Sequence, residues 1–203
     1  MDRSGLSRLI PIILVIIVVV VAAAALISLG RTLFGGDSGE PSPTPDANTG
    51  KSSLTNTNAD RSVRMIVRGP ITANETFRSY TITVSPSTRN MTTYTGYVGA
   101  EISNDGLDNN VQAYTQFVNA LSRAKLMDGS PFSGEEDNTK GICATGFVYE
   151  FETRQGSNVV QKLWTSTCKG SRGSLTANLS QVSRLFQVQI PNYSSILSKA
   201  RIN

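Results

Sequence analysis

The feature that most constrains this chain is an uncharged apolar run from Leu9 to Leu29, 21 residues long. A helix rises 1.5 Å per residue, so about 20 residues cross a hydrocarbon layer of about 30 Å. Inside lipid, only a helix or a closed barrel satisfies the hydrogen-bonding groups of the backbone. The run therefore predicts a single transmembrane helix over residues 9–29.

A cleaved signal peptide is the alternative interpretation of this segment. Arg3 and Arg8 supply a basic region before it, and the alanines at 22–25 offer an A-x-A cleavage site. The run continues to Leu29 and is longer than the roughly 7 to 15 apolar residues of a signal peptide, which favours an uncleaved anchor. The positive-inside rule then places residues 1–8 in the cytoplasm and the C-terminal part outside the cell membrane. Cleavage would instead yield a secreted domain.

Residues 30–61 have the composition of a flexible linker. They are rich in Gly, Ser, Thr and Pro, and Leu54 is the single large apolar residue between positions 35 and 60. Such segments bury too little apolar surface to fold and favour coil or polyproline II conformations. We expect a tether, followed by an extracytoplasmic domain over residues 62–203 that is long enough to fold by itself.

Two segments near the start of that domain alternate apolar and polar residues with the period of half-buried strands. The apolar positions are Val63, Met65 and Val67 in the first segment, and Tyr80, Ile82 and Val84 in the second. A turn at 85–87 leads into a threonine-rich return over 89–97. These segments predict three antiparallel strands.

Apolar residues at helical spacing predict two helices. The first follows an N-cap at Asp108, ends at Gly129 and carries Val111, Tyr114, Val118 and Leu121. The second carries Leu175, Leu179, Val182 and Phe186, and residues 185–190 fit either a helix or a strand. The expected fold class is α+β: a small antiparallel sheet of two hairpin-like units packed with one or two helices, behind the single N-terminal transmembrane helix.

The two cysteines, Cys143 and Cys168, have an informative spacing. If residues 155–156 form a two-residue hairpin loop, the cysteines face each other across the hairpin. The same register places Phe147 opposite Trp164. Because an exported domain experiences oxidising conditions, we expect a structural disulfide between the two cysteines.

The chain contains no histidine, which excludes Ser-His-Asp and Cys-His catalytic sets built within it. Ser122 and Lys125 match the S-x-x-K motif of penicillin-binding proteins, but no K-T-G sequence accompanies them. Residues 104–109 are rich in oxygen ligands but lack the order of a calcium loop, and a turn with a helix cap explains them. We expect no enzymatic activity, no cofactor and no metal.

Charge is distributed unevenly along the domain. Residues 101–152 contain nine acids and three bases, whereas residues 153–203 contain seven bases and no acid. The basic tail either neutralises the acidic middle segment or forms a patch for an anionic partner. The candidate patch residues are Lys169, Arg172, Arg184, Lys199 and Arg201. Aromatic residues are not interleaved with these bases, so the patch does not fit nucleic acid.

These features predict a membrane-tethered extracytoplasmic binding or structural module of the cell envelope. It would act by contact with an envelope protein or an anionic wall polymer. The alternatives are a histidine-independent envelope hydrolase of the Ser/Lys type and a pilin-like assembly subunit. Gly30, Gly35 and Gly36 weigh against the pilin alternative, because they interrupt the helix that pilins continue beyond the membrane.

Overall fold

The structure, a computed structural model, describes residues 47–171 and 173–202. In this part of the chain, six strands form one antiparallel sheet and four α-helices accompany it, which confirms the α+β class. The strands are β1 (Arg61–Arg68), β2 (Arg78–Val84), β3 (Thr88–Thr95), β4 (Ala100–Asp108), β5 (Val148–Gln155) and β6 (Asn158–Ser166). The helices are α1 (Ala47–Thr55), α2 (Val111–Arg123), α3 (Leu179–Gln187) and α4 (Tyr193–Lys199), with a short 3-10 helix at Gly134–Asp137.

The predicted transmembrane helix over residues 9–29 lies outside the described residues, as do the tail of residues 1–8 and residues 30–46 of the predicted linker. Within the part that the structure describes, no helix has both the length and the apolar character needed to cross a bilayer. The membrane anchor therefore stays a prediction from the sequence.

The strand order of the sheet is β4-β3-β2-β1-β5-β6. β1 to β4 form a meander in which each strand pairs with the next, while β5 and β6 form a hairpin whose first strand pairs with β1. β1 therefore connects the meander and the hairpin in one sheet, because it pairs with both β2 and β5. The three strands predicted from the sequence are present as β1, β2 and β3.

β4 is a strand that the sequence pattern does not predict. Residues 104–108, interpreted as a turn and helix cap, instead form the edge of the sheet. The N-cap of α2 is Asn110, whose Oδ1 accepts a hydrogen bond from the N–H of Ala113 at 2.9 Å. Eight of the nine β4 residues are exposed, so the strand has no buried side to create an apolar period.

The core lies between the helices and one face of the sheet. Phe186 of α3 packs against Phe117 of α2 and Phe151 of β5, with ring centroids 5.2 and 5.8 Å apart. This cluster joins both helices to the sheet.

α2 differs from the predicted helix in two ways. Val111 was expected in the core but is 55% exposed, and the helix ends at Arg123, well before Gly129.

Residues 185–190 continue α3 and then turn, so the strand alternative for them is wrong. The N–H of Val188 donates to the carbonyl of Arg184 at 3.0 Å, and the N–H of Ile190 donates to Gln187 at 3.1 Å. These bonds extend the helical path up to Pro191. α4, which the sequence pattern does not predict, follows and buries Ile196.

α1 lies inside the range 30–61 that the composition assigns to a flexible linker. Leu54 of this helix is 1% exposed and belongs to the core. α1 contacts α2, β5 and β6, and Lys51 Nζ lies 3.1 Å from Oδ1 of Asp128. The folded domain therefore includes residues from Ala47 onwards and does not begin at residue 62.

The β5–β6 hairpin has a different register from the predicted one. Its two-residue loop is formed by residues 156–157, and a bulge shifts the pairing further. Trp164 therefore lies opposite Glu150 instead of Phe147. Gly156 has a φ of 55°, which explains the position of the loop, because two-residue hairpin loops need a positive φ at their first residue.

Cys143 and Cys168 are joined by a disulfide, with their Cα atoms 5.5 Å apart. Neither cysteine lies in a strand, since β5 begins after the first and β6 ends before the second. The predicted bridge is therefore present although the register used to predict it is wrong. Pairing continues beyond the hairpin, because the N–H of Thr167 donates to the carbonyl of Phe147 at 2.9 Å. This bond brings the two flanking loops together.

Candidate binding site

The face of the sheet opposite the helices carries buried carboxylates. Glu150 and Glu152 of β5 are each 5% exposed and lie opposite residues of β1. Nη2 of Arg64 lies 2.7 Å from Oε2 of Glu152, and Arg68 pairs with Glu150. Each buried carboxylate therefore has a guanidinium partner within the sheet, which offsets the cost of removing the charge from water.

The segment between α2 and β5 covers this face at one end. The hydroxyl of Thr139 donates to Glu150, and Nζ of Lys162 lies 2.7 Å from Oδ2 of Asp137. Phe132 packs edge-on against Trp164, with ring centroids 6.0 Å apart. These contacts hold the covering segment against β5 and β6.

A cleft of about 610 Å³ opens beside this segment, at the C-terminal end of β1. Such a volume is in the usual range for ligand pockets, roughly 300 to 1,000 Å³. Its apolar lining consists of Ile71, Phe77, Tyr97, Ile142 and Val148, and its cationic lining of Arg68 and Lys140. The cleft therefore combines apolar walls with a small number of positive charges.

A stacked aromatic pair forms one wall of the cleft, and Phe77 is its buried member. The rings of Phe77 and Tyr97 are stacked, with centroids 4.3 Å apart and planes at 20°. The Tyr97 hydroxyl donates to the carbonyl of Thr72 at 2.7 Å, and its backbone N–H donates to Oδ1 of Asn74 at 2.9 Å. Tyr97 is nevertheless 53% exposed. The ring is thus held in place while its surface stays available to a ligand.

The disulfide fixes the opposite wall. Cys143 lines the cleft, and Gly146 allows the chain to pass close to the bridge. A Cβ on Gly146 would lie 2.3 Å from Oγ1 of Thr167 and 3.0 Å from Sγ of Cys143. The N–H of Ile71 donates to the carbonyl of Ala144 at 2.9 Å. The two walls are therefore tied to each other as well as to the sheet.

Two of the five basic residues identified in the sequence lie near the cleft. Lys169 is exposed and directly follows Cys168, which is bonded to the cleft residue Cys143. Arg201 is exposed and lines a neighbouring groove that shares Gly69 with the cleft. The structure thus brings Lys169 and Arg201 to the same end of the sheet as Lys140.

The other three basic residues have different positions. Lys199 ends α4, Arg184 lines a groove that shares no residue with the cleft, and Arg172 lies outside the described residues. Among residues 47–171 and 173–202, neither Lys169, Arg184, Lys199 nor Arg201 forms an ion pair. The ion pairs are Lys51–Asp128, Arg61–Asp60, Arg64–Glu152, Arg68–Glu150, Arg154–Glu152 and Lys162–Asp137. Of the five ion pairs made by the acidic segment, three use bases outside the tail and two use Arg154 and Lys162 of the tail.

The residues of the S-x-x-K match lie at the C-terminal end of α2, and neither lines the cleft. Ser122 is exposed on the last turn of α2, and Lys125 lies beyond the helix with a φ of 61°. Residues 104–108 lie along β4, where side chains alternate between two faces instead of converging on an ion. In the described part of the chain, no group of three or more acidic, Cys or His side chains converges on one point.

Sequence reasoning did not identify the cleft residues Phe77, Tyr97 and Lys140. The signal that could have found Tyr97 is its position in Gly96-Tyr97-Val98-Gly99, where two glycines with φ of 72° and 76° present an aromatic residue on a turn. Phe77 and Lys140 are far apart in the chain and give no such signal. The β1–β2 and β1–β5 pairings are what bring their segments together.

Comparison of the chain with models of known protein families gives no match. Comparison with curated proteins likewise gives no match. The features that bear on function are therefore the cleft, the charges around it and the sequence of the N-terminal part.

Proposed function

We propose that this protein is a membrane-tethered extracytoplasmic binding module of the cell envelope and that the cleft is its binding site. The observation that carries the proposal is an exposed aromatic ring, Tyr97, which is held by hydrogen bonds and stacked on the buried Phe77 in a cleft of about 610 Å³. Solvent-exposed aromatic rings that are fixed by hydrogen bonds are typical of recognition surfaces. Binding of this kind requires no catalytic group.

The charges around the cleft favour an anionic wall polymer as the ligand. Three cations, Lys140, Lys169 and Arg201, are exposed at this end of the domain. Glu75, in the loop before β2, is an exposed residue of opposite charge. Arg68 is already paired with Glu150, so among the described residues the three exposed cations are the groups available to a ligand. A polymer of repeating anionic units could contact several of them at once and lay its apolar carbon atoms on Tyr97.

The tether is consistent with such a role. A transmembrane helix over residues 9–29 and a linker over residues 30–46 would hold the domain at a distance from the lipid surface. A polymer or protein of the envelope is within reach of a domain displayed in this way. The location of the domain outside the cytoplasm is part of the proposal.

The test is binding of the full-length chain, kept in non-ionic detergent, to immobilised poly(glycerol phosphate), with dextran as the uncharged reference. We expect binding to poly(glycerol phosphate) that weakens as salt rises from about 50 to about 500 mM, because the Debye length shrinks from about 14 to about 4 Å. Combining Lys140→Glu with Lys169→Glu should weaken it by about tenfold or more. Tyr97→Ala should weaken it without changing the salt dependence.

Arg184→Glu is the matched control, because it reverses one exposed charge of the tail in a different groove. It should leave binding within about twofold of the unmodified chain. Equal binding to dextran, or equal losses for Arg184→Glu and the cleft variants, would contradict the assignment of the cleft.

A further inference from the structure

β4 is an edge strand whose outer side faces solvent. It ends the strand order of the sheet, pairs with β3 and has eight exposed residues out of nine. In the described chain, no backbone hydrogen bond joins β4 to an element other than β3. A long unpaired edge is a template for another strand.

The register identifies the backbone groups that are free. The N–H of Asn109 donates to the carbonyl of Ser87 at 2.8 Å, which marks this position as a hydrogen-bonded pair of the β3–β4 ladder. Antiparallel ladders alternate, so the backbone groups of Asn104 and Gly106 point away from β3, as does the N–H of Asp108. The carbonyl of Asp108 already accepts from the guanidinium of Arg89. The free edge therefore runs from Asn104 to the N–H of Asp108.

Exposed apolar side chains lie on this edge and next to it. Of the eight large apolar residues that are exposed in the described chain, Ile102 and Leu107 lie on β4 itself, and Val98 and Val111 lie within three residues of its ends. Exposed apolar residues on an unpaired strand favour an interaction surface.

The charge of the edge selects the kind of partner. Glu101, Asp105 and Asp108 all lie on β4, and none of them forms an ion pair with another described residue. The base that approaches them is Arg89 of β3, opposite Leu107. A second copy paired through the same edge would bring two sets of three carboxylates together, which is unfavourable.

We infer that β4 binds an extended, positively charged segment of another protein, which adds to the sheet as a further strand. The backbone groups of Asn104 and Gly106 supply the hydrogen bonds, and the three carboxylates select basic side chains on the partner. This surface is separate from the cleft, since no β4 residue lines the cleft.

The inference is tested with two nine-residue peptides, one that repeats Lys-Val-Val and one that repeats Glu-Val-Val, added to the full-length chain in non-ionic detergent. Asp105 and Asp108 lie on opposite faces of β4, and a charge at every third position of an added strand also falls on both faces. We expect the Lys peptide to bind at least about tenfold more tightly than the Glu peptide. Amide exchange at Asn104 and Gly106 should slow when it binds.

Gly106→Pro removes an outward N–H without removing a bond to β3, and Gly106→Ala keeps that N–H. A Cβ at this position meets Nδ2 of Asn90 at 3.7 Å, an ordinary contact, so the alanine variant fits the strand. The proline variant should bind the Lys peptide about tenfold more weakly, and the alanine variant within about twofold of the unmodified chain. Equal binding by the two variants would overturn the inference.

A charge variant covers the case in which Gly106→Pro does not fold. Replacing Glu101, Asp105 and Asp108 by their amides should weaken binding of the Lys peptide, whereas the amides of the exposed Glu135 and Glu136 should not. Failure of the Lys peptide to bind, or its binding with no preference over the Glu peptide, would refute the inference. A β4-mediated dimer, seen by sedimentation and abolished in the proline variant, would assign the edge to a second copy instead.

Discussion

Cys143 and Cys168 join two loops at one wall of the cleft, so their bond affects both stability and the site. We expect the double replacement Cys143→Ser and Cys168→Ser to lower the free energy of unfolding by about 2–4 kcal/mol, because the bridge restricts the unfolded chain. The two residues are 25 positions apart. Urea unfolding of the full-length chain, followed by the fluorescence of its single Trp, measures the change.

Reduction supplies the matched control for this prediction. Dithiothreitol should destabilise the unmodified chain by a similar amount and leave the double serine variant unchanged. Rapid alkylation of free thiols in the folded, non-reduced chain would show that the bridge is absent.

The burial of Glu150 and Glu152 is a property that the sequence alone does not predict. A Glu in a strand is normally interpreted as solvated, and both lie in the acidic segment 101–152. Their burial depends on Arg64 and Arg68 of β1, which only the β1–β5 pairing brings alongside. The charges were visible in the sequence, as was Arg154, which also pairs with Glu152, but the two β1 partners were not, because they belong to a distant strand.

At the scale of elements, α1 depends on very few apolar contacts. Leu54 is the large apolar residue of this helix, and it is 1% exposed. We expect Leu54→Ala to destabilise the domain by about 2–4 kcal/mol through lost burial and a residual cavity. The exposed neighbour Ser52→Ala should have little effect, and urea unfolding compares the two. Equal stability of both variants would mean that α1 is not part of the cooperative unit.

The elements that could be predicted are those with one buried side. β1 and β2 show a period of two, and α2 and α3 show helical spacing, because each packs one side on the core. β4 has no buried side, and α1 has a single large anchor in a polar segment, so neither produces a period. The register of the β5–β6 hairpin depends on which residue of 155–157 has the positive φ. Composition alone does not determine which residue this is.

At the scale of the whole molecule, the free energy of unfolding should fall at high pH. The chain has no histidine, so no side chain has an ordinary pKa between about 5 and 8. Burial raises the pKa of four phenols, those of Tyr80, Tyr114, Tyr149 and Tyr193. A raised pKa in the folded state means that this contribution to stability is complete below pH of about 10, the unfolded value, and is lost as the pH rises above it.

Urea unfolding of the full-length chain between pH 6 and 11.5 checks this expectation. The free energy of unfolding should fall above pH of about 10 by up to about 1.4 kcal/mol per pH unit for each phenol that ionises on unfolding. Tyr80→Phe should reduce this slope by one phenol, although it also removes the 2.7 Å hydrogen bond between the hydroxyls of Tyr80 and Tyr193. A free energy that stays constant up to pH 11.5 would contradict the prediction.

The strand order also bears on how quickly the domain folds. The meander β1–β4 and the hairpin β5–β6 each form from neighbouring segments, but β1 meets β5 across a long stretch of chain, as Arg64 and Glu152 are 88 residues apart. Closing such a loop costs chain entropy before any native contact compensates for it. Steps of this kind are slow in folding. The disulfide joins Cys143, nine residues before Glu152, to Cys168, 16 residues after it, so it does not shorten the long stretch that follows Arg64. Oxidised and reduced chains should therefore refold at similar rates and differ mainly in how fast they unfold.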